Sequence, residues 1–194
     1  MGSAAAGEAR ATEIRAYALR VLRQLDEELL RLMRTRGHSA INQRGMQLVG
    51  AAGEWGAAWV AGSLLLASTD QPRRRQWLTA ASAAPVAIAV NYVAKLIVRR
   101  PRPRLRGLPR LGPAPSELSF PSAHASSSFA AATVIARVEP RLAAPSFALA
   151  LAICATRPYL GLHYPSDVIA GAAFGAGIGR AWLEFISTHD RDSR

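Results

Sequence analysis

Two histidines, three cations, a serine hydroxyl and one aspartate fall into three short blocks between residues 95 and 167 of a 194-residue chain. The blocks are Lys95 with Arg102-Pro103, then Pro121-Ser122-Ala123-His124, then Thr156-Arg157 followed by His163 and Asp167. Such a set can transfer a phosphoryl group without a metal. Cations neutralise the phosphate, one imidazole attacks phosphorus, a second protonates the leaving oxygen, and a carboxylate orients the attacking ring. A single carboxylate beside three cations is a poor ligand set for a metal, so neither metal nor cofactor is expected. Lys95 is the only lysine among 24 basic residues. That marks it as a place where a compact ammonium is wanted rather than a planar guanidinium.

The order and spacing of the blocks resemble the signature of the type 2 phosphatidic acid phosphatase (PAP2) family, K-x6-R-P, P-S-G-H and S-R-x5-H-x3-D. The resemblance covers roughly residues 80–185. It departs from the family pattern at Ala123, where Gly is usual, and at Thr156, where Ser is usual. Ala123 keeps a backbone N–H but resists positive φ, and Thr156 keeps a hydroxyl. The resemblance implies a lipid phosphatase working through a phosphohistidine. His163 would be the nucleophile, with Asp167 fixing its tautomer. His124 would protonate the leaving oxygen and then activate water. Lys95, Arg102, Ser122, Ala123 and Arg157 would bind the phosphate, the two central ones at a helix N-terminus that favours anions. Segments 118–124 and 161–167 look like those of small actinobacterial members of the family. That softer likeness implies decaprenylphosphoryl-5-phosphoribose as substrate, with a polyprenyl diphosphate, phosphatidylglycerol phosphate or phosphatidic acid as alternatives. Outside that class, a non-catalytic lipid-binding protein would be expected to have lost a motif His or Arg. A vanadate-dependent oxidase would be expected to be larger and soluble.

The elements that must position these residues read as an all-α integral-membrane bundle. Half of the residues are hydrophobic, and small residues suit close helix packing in lipid. Apolar runs at 48–67, 77–98, 119–136, 143–156 and 166–186 are candidate spans. Residues 1–10 read as a disordered tail, 11–45 as an amphipathic helix and linker, 46–187 as the phosphatase domain and 188–194 as a polar tail. The helix over 11–34 carries apolar residues at helical spacing, including Ile14, Val21, Leu25, Leu29 and Leu32, which fits either an interfacial anchor or a packing helix. No apolar signal-peptide core is visible at the start. Glu54 inside the first span should face protein or water, and Trp77 reads as an interfacial anchor. Cys154 has no partner for a disulfide. Gly171, Gly175 and Gly179 share a helix face, suited to packing inside the bundle or to a homo-oligomer seam.

The formal charge is +11, but the arginines sit in flanks and loops between apolar runs. That pattern points to a bilayer and a lipid phosphate as partners, not to nucleic acid. His38, His189 and the loop arginines Arg99, Arg100, Arg104, Arg106 and Arg110 are expected to be solvated or at lipid headgroups. Alternating spans would bring all three blocks to one side of a bacterial plasma membrane. Eight arginines before the first span and the 99–110 cluster would place that side in the cytoplasm.

Overall fold

A computed structural model describes residues 2–192 of the chain. The seven α-helices among them are α1 (Gly2–Thr35), α2 (Ala40–Ala52), α3 (Ala57–Thr69), α4 (Arg74–Val98), α5 (Ala123–Val138), α6 (Ala143–Tyr159) and α7 (Pro165–Asp192). Local chemistry sets their ends. Ser39 caps α2 by accepting from the Asn42 N–H. Arg99 closes α4 in the left-handed region at φ 52, and Pro101 follows. Pro165 opens α7, where its missing N–H costs nothing.

α5 is the central helix, with Ala125 to Ser128, Ala130 to Ala132, Val134 and Ile135 buried. It packs against α3, α4, α6 and α7. Its closest neighbour is the glycine face of α7. A Cβ on Gly171 would lie 2.6 Å from the Ser122 carbonyl oxygen, and one on Gly179 would lie 2.7 Å from that of Ala130. Those glycines therefore serve contact inside the bundle. At the far end of the bundle, Arg73 joins Asp70 and Glu139. There Trp77 is buried and donates to Asp70 at 2.9 Å, so it is a core residue and not a lipid-facing anchor.

The outer surface is strongly apolar. Leu64, Leu65, Val93, Leu96, Ile97, Leu151 and Ile169 are all exposed, a belt that water does not favour. One helical stretch among the described residues, 71–98, is long and apolar enough by itself to cross a bilayer.

Two elements depart from the sequence reading. The first apolar run is not one helix. It breaks at Gly53–Gly56, where a short 3-10 turn separates α2 from α3, with Trp55 at φ 53 and Gly56 at φ +74. The run holds a glycine at each side of Glu54-Trp55, and glycines disfavour helix interiors. The amino-terminal helix starts at Gly2, so it takes in the stretch expected to be disordered. α1 also turns its polar stripe inward: Asp26, Leu30 and Arg34 are buried, while Ile14, Leu22, Leu25, Leu29 and Leu32 are exposed. Spacing of four puts the three buried residues on one helix face. Hydrophobic periodicity alone would have buried the other.

Candidate active site

The site lies at the end of the bundle where α4 stops, α5 starts, α6 stops and α7 starts. Between α4 and α5 the chain doubles back on itself. Arg102 N–H donates to the Glu117 carbonyl at 3.0 Å and Ser119 N–H to that of Arg100 at 2.7 Å. This small hairpin sets Arg102 and Ser119 beside the short loop that joins α6 to α7 and carries His163.

Lys95, Arg102, Ala123, His124, Arg157 and His163 line one cavity, of about 570 Å³ including its open mouth. Glu54, Gly53, Trp55, Ser127 and Leu162 complete much of its wall. Lys95 comes from the last turn of α4 and donates to the carbonyls of Leu118 and Ser119 at 3.1 and 3.2 Å. Arg102 donates to Ser116 and Leu162 carbonyls at 2.6 and 2.7 Å. Thus the cations brace the two loops as well as charging the cavity. Arg157 reaches the His124 ring, with Nη1 2.6 Å from Nε2, and its Nε is buried without a protein partner. α5 begins at Ala123, so its first-turn N–H groups and positive dipole end meet the cavity. Ser122 itself is fully buried behind this wall, and its Oγ has no partner. Thr156 donates to the Ile153 carbonyl at 2.6 Å and packs near Gly50 of α2.

His163 is 3 % exposed. Its Nε2 lies 2.9 Å from Arg102 Nη1. Its Nδ1 faces Asp167 Oδ2 at 3.6 Å and Ser119 Oγ at 3.5 Å. The Asp167 carboxylate is itself fixed by three donors: the Ser119 hydroxyl, the Tyr164 N–H at 2.9 Å and Arg100 Nη1 at 2.8 Å. Burial pushes the His163 imidazole down to about 3, although Asp167 acts in the opposite direction. The ring is therefore neutral near pH 7, with a lone pair available on one nitrogen.

Several of these partners were not legible as site residues. Arg100 was expected among solvated arginines, yet it bridges Asp167 and Asp26, at 2.8 and 2.7 Å. Asp26 on α1 also accepts from the N–H and hydroxyl of Ser166. Nothing in a run of six arginines over 99–110 distinguishes one from its neighbours. Ser119 lacked a motif position. Glu54 carried a signal, a carboxylate in an apolar run, and it lies 3.3 Å from His124 Nε2. His38, expected at the surface, is half-buried and stacks on Tyr159 with ring centroids 4.0 Å apart. The His189 side chain lies outside the described residues.

The model of the PAP2 superfamily matches residues 76–191. The chain belongs to the PAP2 superfamily. Over 131 residues it is 42 % identical to decaprenylphosphoryl-5-phosphoribose phosphatase of Mycobacterium tuberculosis, covering 66 % of this chain and 71 % of that one. Its fold is similar to that of a PAP2-type phosphatidylglycerolphosphate phosphatase from Bacillus subtilis, with a TM-score of 0.69 at 19 % identity over 87 % of each chain. It is also similar to Aquifex aeolicus LpxE, with a TM-score of 0.68 at 25 % identity, over 82 % of this chain and 95 % of that one. The superfamily match begins near the start of α4, so it includes every motif residue but neither Asp26 nor Glu54.

Proposed function

We propose that this PAP2 protein is an integral-membrane lipid phosphate phosphatase that works through a phosphohistidine on His163. One observation carries the reading: two buried or half-buried imidazoles and three cations face a single cavity, with Asp167 held behind one of the rings. A phosphomonoester carries about two negative charges near neutral pH. Lys95, Arg102 and Arg157, all lining the cavity, neutralise it. Asp167 faces His163 Nδ1–H, and the Nε2 lone pair, which accepts from Arg102 Nη1, turns on phosphorus once the phosphate oxygens draw Arg102 onto themselves. The phosphorus–leaving-oxygen bond breaks, and His124 supplies the proton. Water then attacks the phosphohistidine, with His124 taking its proton, and releases phosphate.

The substrate class we favour is a polyprenyl-linked sugar phosphate such as decaprenylphosphoryl-5-phosphoribose. The support is the 42 % identity to the mycobacterial enzyme across two thirds of the chain. We read five crossings of a bacterial plasma membrane: α2 and α3 together as one broken span, then α4, α5, α6 and α7. The apolar outer belt supports this. α1 lies on the surface, with its leucine stripe in the headgroup region, and the site opens on the cytoplasmic side.

Purified protein in detergent, assayed on a panel of lipid phosphates, tests the reading. We expect phosphate release from the decaprenyl sugar phosphate to exceed that from phosphatidylglycerol phosphate, phosphatidic acid and undecaprenyl diphosphate. EDTA should leave turnover intact, orthovanadate should inhibit it, and His163→Ala should abolish it. A requirement for added Mg²⁺ in the chemical step, or an active His163→Ala variant, would sink the mechanism. Faster turnover of another lipid would move the substrate assignment and leave the mechanism standing.

A further inference from the structure

The break between α2 and α3 puts a carboxylate where the motif chemistry does not ask for one. Gly53 backs directly onto the site: a Cβ there would lie 2.6 Å from Ile153 Cγ2 and 3.0 Å from His124 Cδ2. Trp55 then takes a left-handed conformation that is unfavourable for a non-glycine residue. The result of this strained turn is that Glu54 enters the cavity, with Oε2 3.3 Å from His124 Nε2. Glu54 is the only carboxylate among the residues that line the cavity.

His124 Nε2 therefore has two neighbours with opposite demands. Arg157 Nη1, from α6, is 2.6 Å away and can only donate. Glu54, from the turn before α3, can only accept when ionised. A neutral ring with its lone pair on Nε2 satisfies Arg157. A ring protonated at Nε2 satisfies Glu54. One nitrogen cannot do both. The remaining charged groups of the cavity are Lys95 on α4 and Arg102 in the hairpin, with neutral His163 in the α6–α7 loop. These cations disfavour an imidazolium; the Gly50 backbone and Glu54 favour one, and of the two only Glu54 brings a charge.

Resting on the phosphatase reading, we propose that Glu54 is a positioning residue that charges His124 as the acid when phosphate binds. A phosphate dianion draws the Arg157 guanidinium onto its own oxygens. Nε2 of His124 is then released from Arg157 and takes a proton from solvent, with Glu54 holding the Nε2–H. As His163 Nε2 bonds to phosphorus and the bond to the leaving oxygen breaks, that proton passes to the leaving oxygen and the alcohol departs. In the second half, water loses a proton to His124 Nε2 as its oxygen bonds to phosphorus and the His163 nitrogen leaves. As phosphate leaves and Arg157 returns to Nε2, His124 gives that proton back to solvent, and Glu54 is unchanged over the cycle. It makes the charged form of His124 available in a cavity otherwise built to repel cations.

Glu54→Gln keeps the shape and removes the charge. We expect its kcat on an alkyl ester, phosphatidic acid in detergent, to fall roughly 10- to 100-fold, a large part of what a general acid contributes. On p-nitrophenyl phosphate, whose leaving group needs little protonation, the fall should stay below about 3-fold, because the acid is then nearly idle. The basic limb of the kcat–pH profile on the alkyl ester should move to lower pH, because the acid loses its proton earlier. Glu54→Asp should recover part of the alkyl-ester rate. Equal losses on both esters with the limb unmoved would make Glu54 merely structural and overturn the proposal. So would a rise in KM alone, which would make Glu54 a contact for substrate hydroxyls. An active wild type with His163→Ala inactive and Glu54→Gln unaffected overturns this inference and leaves the phosphatase reading intact. A wild type inactive on every phosphate ester overturns both.

Discussion

His163 illustrates how the site trades stability for readiness. Its ring is held neutral by burial, at about 3 against roughly 6.5 for an unfolded histidine. Between those values the unfolded chain binds a proton that the folded chain refuses. The contribution of this residue to stability is therefore complete above pH 6.5 and is lost progressively as the pH falls towards 3. We expect the melting temperature of the purified protein in detergent to drop on acidification from pH 7 to pH 4. The drop should be smaller in His163→Gln, which cannot charge. An equal drop in both proteins would show that His163 is not the group concerned. The identity of such residues was readable in the sequence because spacing is chemistry here: three residues separate His163 from Asp167 across a loop and a helix start. Their support was not readable. Ser119 and Arg100 reach Asp167 from a hairpin whose pairing, Arg102 with Glu117 and Ser119 with Arg100, depends on three-dimensional closure and leaves no periodic trace.

At the scale of elements, apolar runs located α4, α5, α6 and α7 to within a few residues, because helices that face lipid or an alanine-rich core are apolar over most of their length. The same signal failed at α1 and at the α2–α3 break. α1 carries two stripes, and periodicity cannot say which one faces protein. The structure buries the polar one through Asp26, which binds Arg100 at 2.7 Å and the Ser166 N–H at 2.9 Å. α1 is thereby tied to the first turn of α7, next to Asp167. Removing the carboxylate should leave the half-buried Arg100 with one anionic partner in place of two and the Ser166 N–H with none. The expected loss is about 2 kcal/mol for hydrogen bonds that involve a charge. Asp26→Ala should lower the melting temperature and expose the segment between α1 and α2 to trypsin. Glu28→Ala, on the exposed face, serves as the control. Equal melting temperatures and equal cleavage would mean that α1 is held by other contacts.

For the whole molecule the open question is which way the bundle faces. Alternation along α3 to α7 gathers the motif residues at one end, and α1 joins them there. That end also carries most of the arginines: those of α1 and the following linker, and those of the hairpin. Several are spoken for inside the protein. Arg34 donates to the carbonyls of Tyr159 and Pro109, Arg104 and Arg110 pair with Glu117, and Arg100 and Arg102 lie at the candidate site. The opposite end has Arg73, already paired with Asp70 and Glu139, then Arg74, Arg75, Arg137, Arg141 and the two arginines of the carboxy-terminal tail. Subtracting every engaged cation still leaves the excess at the site end, and excess Arg in short flanks marks the cytoplasmic side. An outward-facing site would also require translocation of α1 with all its charges. Single cysteines placed by Ser3→Cys or Pro72→Cys, in a Cys154→Ala background, decide the matter in intact cells. Pro72 is exposed in the short turn between α3 and α4, on the side opposite the catalytic cavity. An impermeant maleimide should label the Pro72→Cys protein and miss Ser3→Cys until the cells are permeabilised. The reverse pattern would turn the enzyme round and put phosphate release outside the cell.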